Sequence, residues 1–174
     1  MRILLGQETV NPDKPGNGGR TPLYYASWYG REGVVKILLE RQEVDPDEPD
    51  NDGRTPLSYA AWNRDEGVVK TLLERTEVDP DKPDNGGRTP LSCAAWYGRE
   101  GVVKILLERG GVNPDKPDNG WRTPLSYAAR YGREGVVRIL LRREEVDPNR
   151  TDNNGQTPLM IATRFGHKRV IAQL

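Results

Sequence analysis

The chain has 174 residues, 34% of them hydrophobic and 30% charged, a balance that suits a thin, elongated body better than a globule around one deep core. Lys plus Arg and Asp plus Glu both number 26, so no net field draws nucleic acid or an anionic membrane. Runs such as Ile139-Leu140-Leu141 are too short to cross a bilayer, no signal-like apolar stretch follows Met1, and the lone Cys93 excludes an intramolecular disulfide, so a cytoplasmic protein is expected.

In chain order the sequence is an array. Thr-Pro-Leu recurs at Thr21, Thr55, Thr89, Thr123 and Thr157, each step being 34 residues. Such a period marks stacked units, each completing the core of its neighbour. A partial unit over 1–15 is followed by full units over 16–49, 50–83, 84–117 and 118–151 and a truncated unit over 152–174. Ile3-Leu4-Leu5 aligns with Ile37-Leu38-Leu39, and Leu174 aligns with Leu140. With both end units partial and no polar cap unit at either end, a fragment of a longer protein is expected. Units 50–83 and 84–117 agree at 25 of 34 positions, so the places where copies differ are those that folding leaves free.

Within a unit, Thr55 is a good N-cap and Pro56 suits the first helical position, which predicts a short helix over 56–63 with Leu57, Ala60 and Ala61 on its apolar face. Gly30, Gly98, Gly132 and Gly166 then serve as left-handed stops, whereas Arg64 at that place costs about 1 kcal/mol. A second helix, over about 66–75, carries Val68, Val69, Leu72 and Leu73 as its core stripe. The stretch from Val78 to Gly87, with two prolines and Asn85-Gly86, reverses the chain as an extended, hairpin-like loop. In the fourth unit Trp121 stands where other units have Gly19, Gly53, Gly87 and Gly155. The expectation is that the left-handed turn shifts onto Gly120 and leaves the indole exposed at a rim.

The run Asp50-Asn51-Asp52-Gly53-Arg54-Thr55-Pro56-Leu57, followed by Ala60-Ala61, Val68-Val69 and Leu72-Leu73, resembles the ankyrin repeat, and the likeness covers the chain apart from its broken ends. Ser58, Ser92 and Ser126 depart from the family's His after Thr-Pro-Leu, and the period of 34 exceeds the family's ~33. Units of this length with a Val-Asx-Pro-Asp loop are similar to those in long arrays of large multidomain fungal proteins. The resemblance implies an all-α solenoid of stacked helix-turn-helix units with protruding hairpin-like turns. It also implies a protein-protein interaction scaffold rather than an enzyme, monomeric, without cofactor or metal. The partner it implies is another protein, or another domain of the parent chain, held in a concave groove made by the turn tips and the exposed end of the first helix.

On that surface fall the pairs after the Ala-Ala step: Trp28-Tyr29, Trp62-Asn63, Trp96-Tyr97, Arg130-Tyr131 and Arg164-Phe165, with Trp121 at a turn tip. Large aromatics and Arg supply most of the energy at protein interfaces. For Trp28, Trp62 and Trp96 an equal alternative is a ladder that only stabilises the stack. Turn residues Asn17, Gly18, Asn51, Asp52, Asn85, Gly86, Asn119, Gly120, Asn153 and Asn154 are secondary candidates. Arg20, Arg54, Arg88 and Arg122 recur unchanged, which points to a structural role bridging neighbouring turns.

Other chemistries fail on spacing. Asp50-Asn51-Asp52-Gly53 has Tyr59 six residues beyond the Gly, where a calcium loop needs a bidentate Glu. His167 and Cys93 lie two units apart and read as structural, and no phosphate loop or zinc spacing occurs. The alternative to a recognition module is a structural spacer. Near-identity of the units favours the spacer, and groove aromatics favour recognition.

Overall fold

The computed structural model describes residues 11–174. The expected opening unit therefore lies mostly outside the described residues, and Ile3-Leu4-Leu5 wholly so. After a 3-10 turn at Asn17–Gly19 come ten helices in five pairs. They are α1 (Pro22–Trp28) with α2 (Glu32–Leu39), α3 (Pro56–Asn63) with α4 (Glu66–Leu73), and α5 (Pro90–Tyr97) with α6 (Glu100–Glu108). The last two pairs are α7 (Pro124–Arg130) with α8 (Glu134–Leu140), and α9 (Pro158–Arg164) with α10 (Lys168–Ile171). No strand occurs among the described residues.

The starts of the first helices follow from local chemistry. Thr55 Oγ1 accepts the Ser58 amide at 3.2 Å, and Thr21, Thr89, Thr123 and Thr157 cap their helices in the same way. Pro at the next position supplies a helical φ where no donor is needed. The family's missing His is replaced by a hydroxyl pair, Ser58 Oγ lying 3.2 Å from Thr55 Oγ1.

The stack has two layers. First helices pack on first helices, α1 through α9, and second helices on second helices, α2 through α10, each pair also closing on itself. Leu57, Leu91 and Leu125 are completely buried, as are Val68, Val69 and Leu72. Each such side chain contributes roughly 1.5 to 3 kcal/mol through burial. Ala60 and Ala61, also without exposed surface, let the first helices approach closely. The last unit differs: Leu159, at the position of Leu125, is 41% exposed and Met160 57%.

The turns are stapled by backbone. The Asn51 amide donates to Gly18 O at 2.9 Å, Asn85 to Asp52 O at 2.9 Å, Asn119 to Gly86 O at 3.0 Å and Asn153 to Gly120 O at 3.0 Å. Asparagine side chains add a second row, Asn85 Nδ2 donating to Asn51 O at 3.0 Å and Asn119 Nδ2 to Asn85 O at 3.1 Å. These turn tips therefore hold one another, which is a structural use of residues expected to be secondary contacts.

At the far end of each unit a row of aspartates does the same work. Asp47 Oδ2 accepts the Asp79 amide at 2.7 Å and Asp81 Oδ2 the Asn113 amide at 3.2 Å. Lys82 Nζ donates to Asp47 O at 2.9 Å and Lys116 Nζ to Asp81 O at 2.8 Å. Arg150 takes the corresponding place on Asp115.

Two residues without glycine's freedom adopt left-handed backbone. Arg64 has φ 71°, as its position predicted. Trp121 has φ 61°, which overturns the expected shift onto Gly120. The turn closes through the Trp121 amide to Asp118 O at 2.9 Å, while Asp118 Oδ1 takes the amides of Gly120 and Arg122 and Gly120 O takes Asn153. A register shift would break that set, which outweighs a strain of about 1 to 2 kcal/mol.

Candidate protein-binding surface

Along the exposed ends of the first helices the aromatic side chains form a column. Tyr24 and Tyr59 meet with ring centroids 4.4 Å apart, Trp28 and Trp62 at 5.8 Å, Trp62 and Tyr97 at 4.8 Å, and Trp96 and Tyr131 at 5.0 Å. Trp96 also stacks on Tyr127 at 5.1 Å. Such pairs contribute about 0.5 to 1.5 kcal/mol beyond burial. Trp28, Trp62 and Trp96 are consequently half-buried and serve the ladder.

Arginines lie over this column. Arg20 sits 5.2 Å from the Tyr24 ring centroid, Arg54 5.7 Å from Trp62, Arg88 5.8 Å from Trp96 and Arg122 5.4 Å from Tyr127. Their expected bridging of neighbouring turns holds for Arg54, whose Nε lies 3.7 Å from Asp84 Oδ2 of the next unit. Arg88 and Arg122 instead grip the aspartate of their own turn, Asp84 at 2.7 Å and Asp118 at 2.8 Å.

Two of the turn aspartates, Asp50 and Asp118, also receive a tyrosine. Tyr59 Oη donates to Asp50 Oδ2 at 2.9 Å and Tyr127 Oη to Asp118 Oδ2 at 2.6 Å. Burial pushes both phenols up, strongly. Burial alone would raise Asp118, but hydrogen bonds from Tyr127, Arg122 and Gly120 outweigh it and hold the carboxyl below its ordinary value. Sequence reading missed this aspartate-arginine-tyrosine arrangement. Its signal was present in the fixed offsets of four and nine residues.

The carbonyls at the ends of the first helices are covered by the next unit. Arg99 Nε donates to Trp62 O at 2.9 Å and Arg133 Nε to Trp96 O at 3.0 Å, and His167 Nε2 lies 2.9 Å from Arg130 O. In the second unit Asp65 occupies the arginine position, and the Asn63 side-chain amide donates to Trp28 O in its place. Asn63, expected to face a partner, is exposed and also holds the preceding unit. The structural readings of His167 and Cys93 hold: Cys93 is a buried free thiol pushed up to about 12 by that burial.

The column changes character in the last two units. Arg130 lies 4.8 Å from the Phe165 ring centroid and 5.8 Å from Tyr131, and Arg164 lies 5.9 Å from Phe165. Both arginines are exposed, and among the described residues neither pairs with a carboxylate. Phe165 is 43% exposed and Trp121 54%, the indole covered on one face by Arg150 at 5.6 Å. The exposed-rim expectation for Trp121 therefore holds although its register does not. Tyr29 is the most open of the aromatic candidates at 62%, and Tyr97 and Tyr131 are half-buried. Among the described residues no group of His, Cys, Asp and Glu is placed to hold a metal ion, and no helix is long and apolar enough to cross a membrane.

Paired helices stacked at a 34-residue period with stapled turns define a helical repeat solenoid. The chain belongs to the ankyrin repeat family. Family models described as ankyrin repeats (3 copies) match residues 42–118, ankyrin repeats (many copies) residues 4–65 and 106–162, and ankyrin repeat residues 154–174. Comparison with curated proteins found no match. Ankyrin repeats are in general modules that bind other proteins, and the family is typically non-enzymatic.

Proposed function

We propose that the whole chain, with the unit limits given above, is a single scaffold that holds another protein, or another domain of its parent chain, in the groove beside the turn tips. Contact centres on the C-terminal half, around Trp96, Tyr97, Trp121, Arg130, Tyr131, Arg164 and Phe165. The observation that carries this is the pair Arg130 and Phe165, a cation that pairs with no carboxylate among the described residues and stacks at 4.8 Å on a ring that is 43% exposed. Such a pair offers a planar donor fork and apolar area at one place. Trp28, Tyr29, Trp62 and Asn63 extend the same surface toward the N-terminal units. The balanced charge, the single buried thiol and the family's usual role support a monomeric cytoplasmic scaffold without cofactor, nucleic acid or membrane as partner.

The competing reading, a spacer without ligand, draws on the ring column, because stacking alone accounts for Trp28, Trp62 and Trp96. A photo-reactive amino acid at position 165, and separately at position 104 on α6, separates the two. A scaffold gives a partner cross-linked from position 165 and not from 104. A spacer gives equal and unspecific products from both.

A further inference from the structure

The turn aspartate is present in four units, as Asp50, Asp84, Asp118 and Asp152, and is replaced by Gly16 in the first. Around Asp118 the missing geometry is complete: Oδ2 accepts Tyr127 Oη at 2.6 Å and Arg122 Nε at 2.9 Å. Around Asp50, Oδ2 accepts Tyr59 Oη at 2.9 Å, and Arg54 Nη1 donates to that same phenol at 3.1 Å. In the first unit both donors remain. Arg20 lies over the Tyr24 ring, 5.2 Å from its centroid, and lines one cavity with Tyr25, yet among the described residues no carboxylate pairs with it. These groups open onto a surface cavity lined by Arg20, Tyr24, Tyr25, Trp28 and Tyr29. Tyr25 is 42% exposed and Tyr29 62%, so the cavity is reached from solvent.

We propose that Arg20 and Tyr25 form a receptor for one carboxylate, supplied by an aspartate or glutamate side chain of the partner protein, which takes the place that Asp50 and Asp118 fill in their own units. The proposal rests on the groove reading above and adds the chemistry of one contact. A guanidinium and a phenol lining one cavity can both donate to a carboxylate through charge-assisted hydrogen bonds. The rings of Tyr24, Trp28 and Tyr29 accept the methylenes that carry it. Binding of an acidic side chain here completes the arrangement the chain builds around Asp118 and, with the arginine on the phenol, around Asp50.

The site carries its own competitor. Gly16 has φ −88°, open to any residue, and a Cβ there would meet Arg20 O at 3.7 Å, an ordinary contact. Gly16→Asp therefore returns the absent carboxylate without strain. The probe is N-acetyl-aspartate N-methylamide, titrated into the chain while the Arg20 Nε–Hε resonance is followed, that resonance being the one lost in Arg20→Lys. The expected result is a saturable shift with the aspartate probe, none with the asparagine analogue, and affinity weakened at least about tenfold in Gly16→Asp and in Tyr25→Phe. An equal response to the asparagine analogue, undiminished binding in Gly16→Asp, or tighter binding of inorganic phosphate than of the aspartate probe overturns the proposal. Because the probe needs no partner protein, loss of groove binding with an intact probe response removes only the groove reading. A silent probe with intact groove binding removes only this one.

Discussion

The Asn63 side-chain amide donates to the backbone carbonyl of Trp28 in the preceding unit, doing the work that Arg99 and Arg133 do for Trp62 and Trp96. The second unit reads Trp62-Asn63-Arg64-Asp65 where the third reads Trp96-Tyr97-Gly98-Arg99. Asp65 cannot donate to a carbonyl, and instead caps its own helix by accepting the Val68 amide at 3.0 Å. Asn63 and Asp65 are thus two halves of one exchange. Asn63→Ala is expected to cost about 1 kcal/mol in urea unfolding, the value of one lost hydrogen bond. In an Arg64→Gly, Asp65→Arg background the same change is expected to cost almost nothing, because Arg at 65 then reaches Trp28 O. Equal losses in both backgrounds would refute the exchange.

Arg64 and Trp121 both hold left-handed backbone, with φ 71° and 61°. Arg64→Gly and Trp121→Gly are each expected to raise stability by about 1 kcal/mol, seen as a higher thermal midpoint. Trp121→Gly is further expected to weaken partner binding, since it removes a 54% exposed indole; Arg64→Gly leaves binding unchanged.

Two sets of aspartates are expected to respond to pH in opposite senses. Asp47, Asp81 and Asp115 are raised above the ordinary 3.8, first by burial, with backbone and cationic hydrogen bonds offsetting it only in part. In each of them Oδ1 is buried without a hydrogen-bond partner among the described residues. Folding therefore favours their protonated form, and they add stability as pH falls through the raised values toward the unfolded one. Asp118 is lowered; its contribution is present above the unfolded value and is lost as pH falls through the folded one. Asp81→Asn is expected to be neutral or stabilising at pH 7, and Asp118→Asn to cost about 2 kcal/mol through its charge-assisted bonds. Equal destabilisation by both would contradict the assignment.

Much of the fold was legible because its determinants are local. Thr55 and Pro56 start a helix by themselves, and Arg64 stood out because other units have Gly there. What was misread depends on contacts a whole unit away. Strain argued for moving the turn at Trp121, yet Asn153 of the next unit fixes Gly120 O. Asn63 looked free until Trp28 O lay beside it, and the loop around Asp81 read only as a chain reversal until Asn113 and Lys116 arrived on it. The importance of Gly16 became visible only from the geometry around Asp50 and Asp118.

Opening is expected to be easiest at the C-terminal end. Leu106 is completely buried between neighbours on both sides, whereas Leu159 and Met160 at the end face are exposed. Native-state hydrogen exchange is expected to find the amides around Leu106 more protected than those around Val170 and Leu174. The same expectation for Ile3 falls outside the described residues. Greater protection at Leu174 than at Leu106 would contradict stack-limited opening.

The most direct measurement of the account is the dissociation constant of a partner recovered by cross-linking from position 165, compared across Arg130→Ala, Arg164→Ala and the unaltered chain, each with its thermal midpoint. Each variant is expected to weaken binding by more than about 1 kcal/mol while the midpoint stays nearly unchanged. Lower midpoints with unchanged affinity would assign Arg130 and Arg164 to the scaffold and contradict the account.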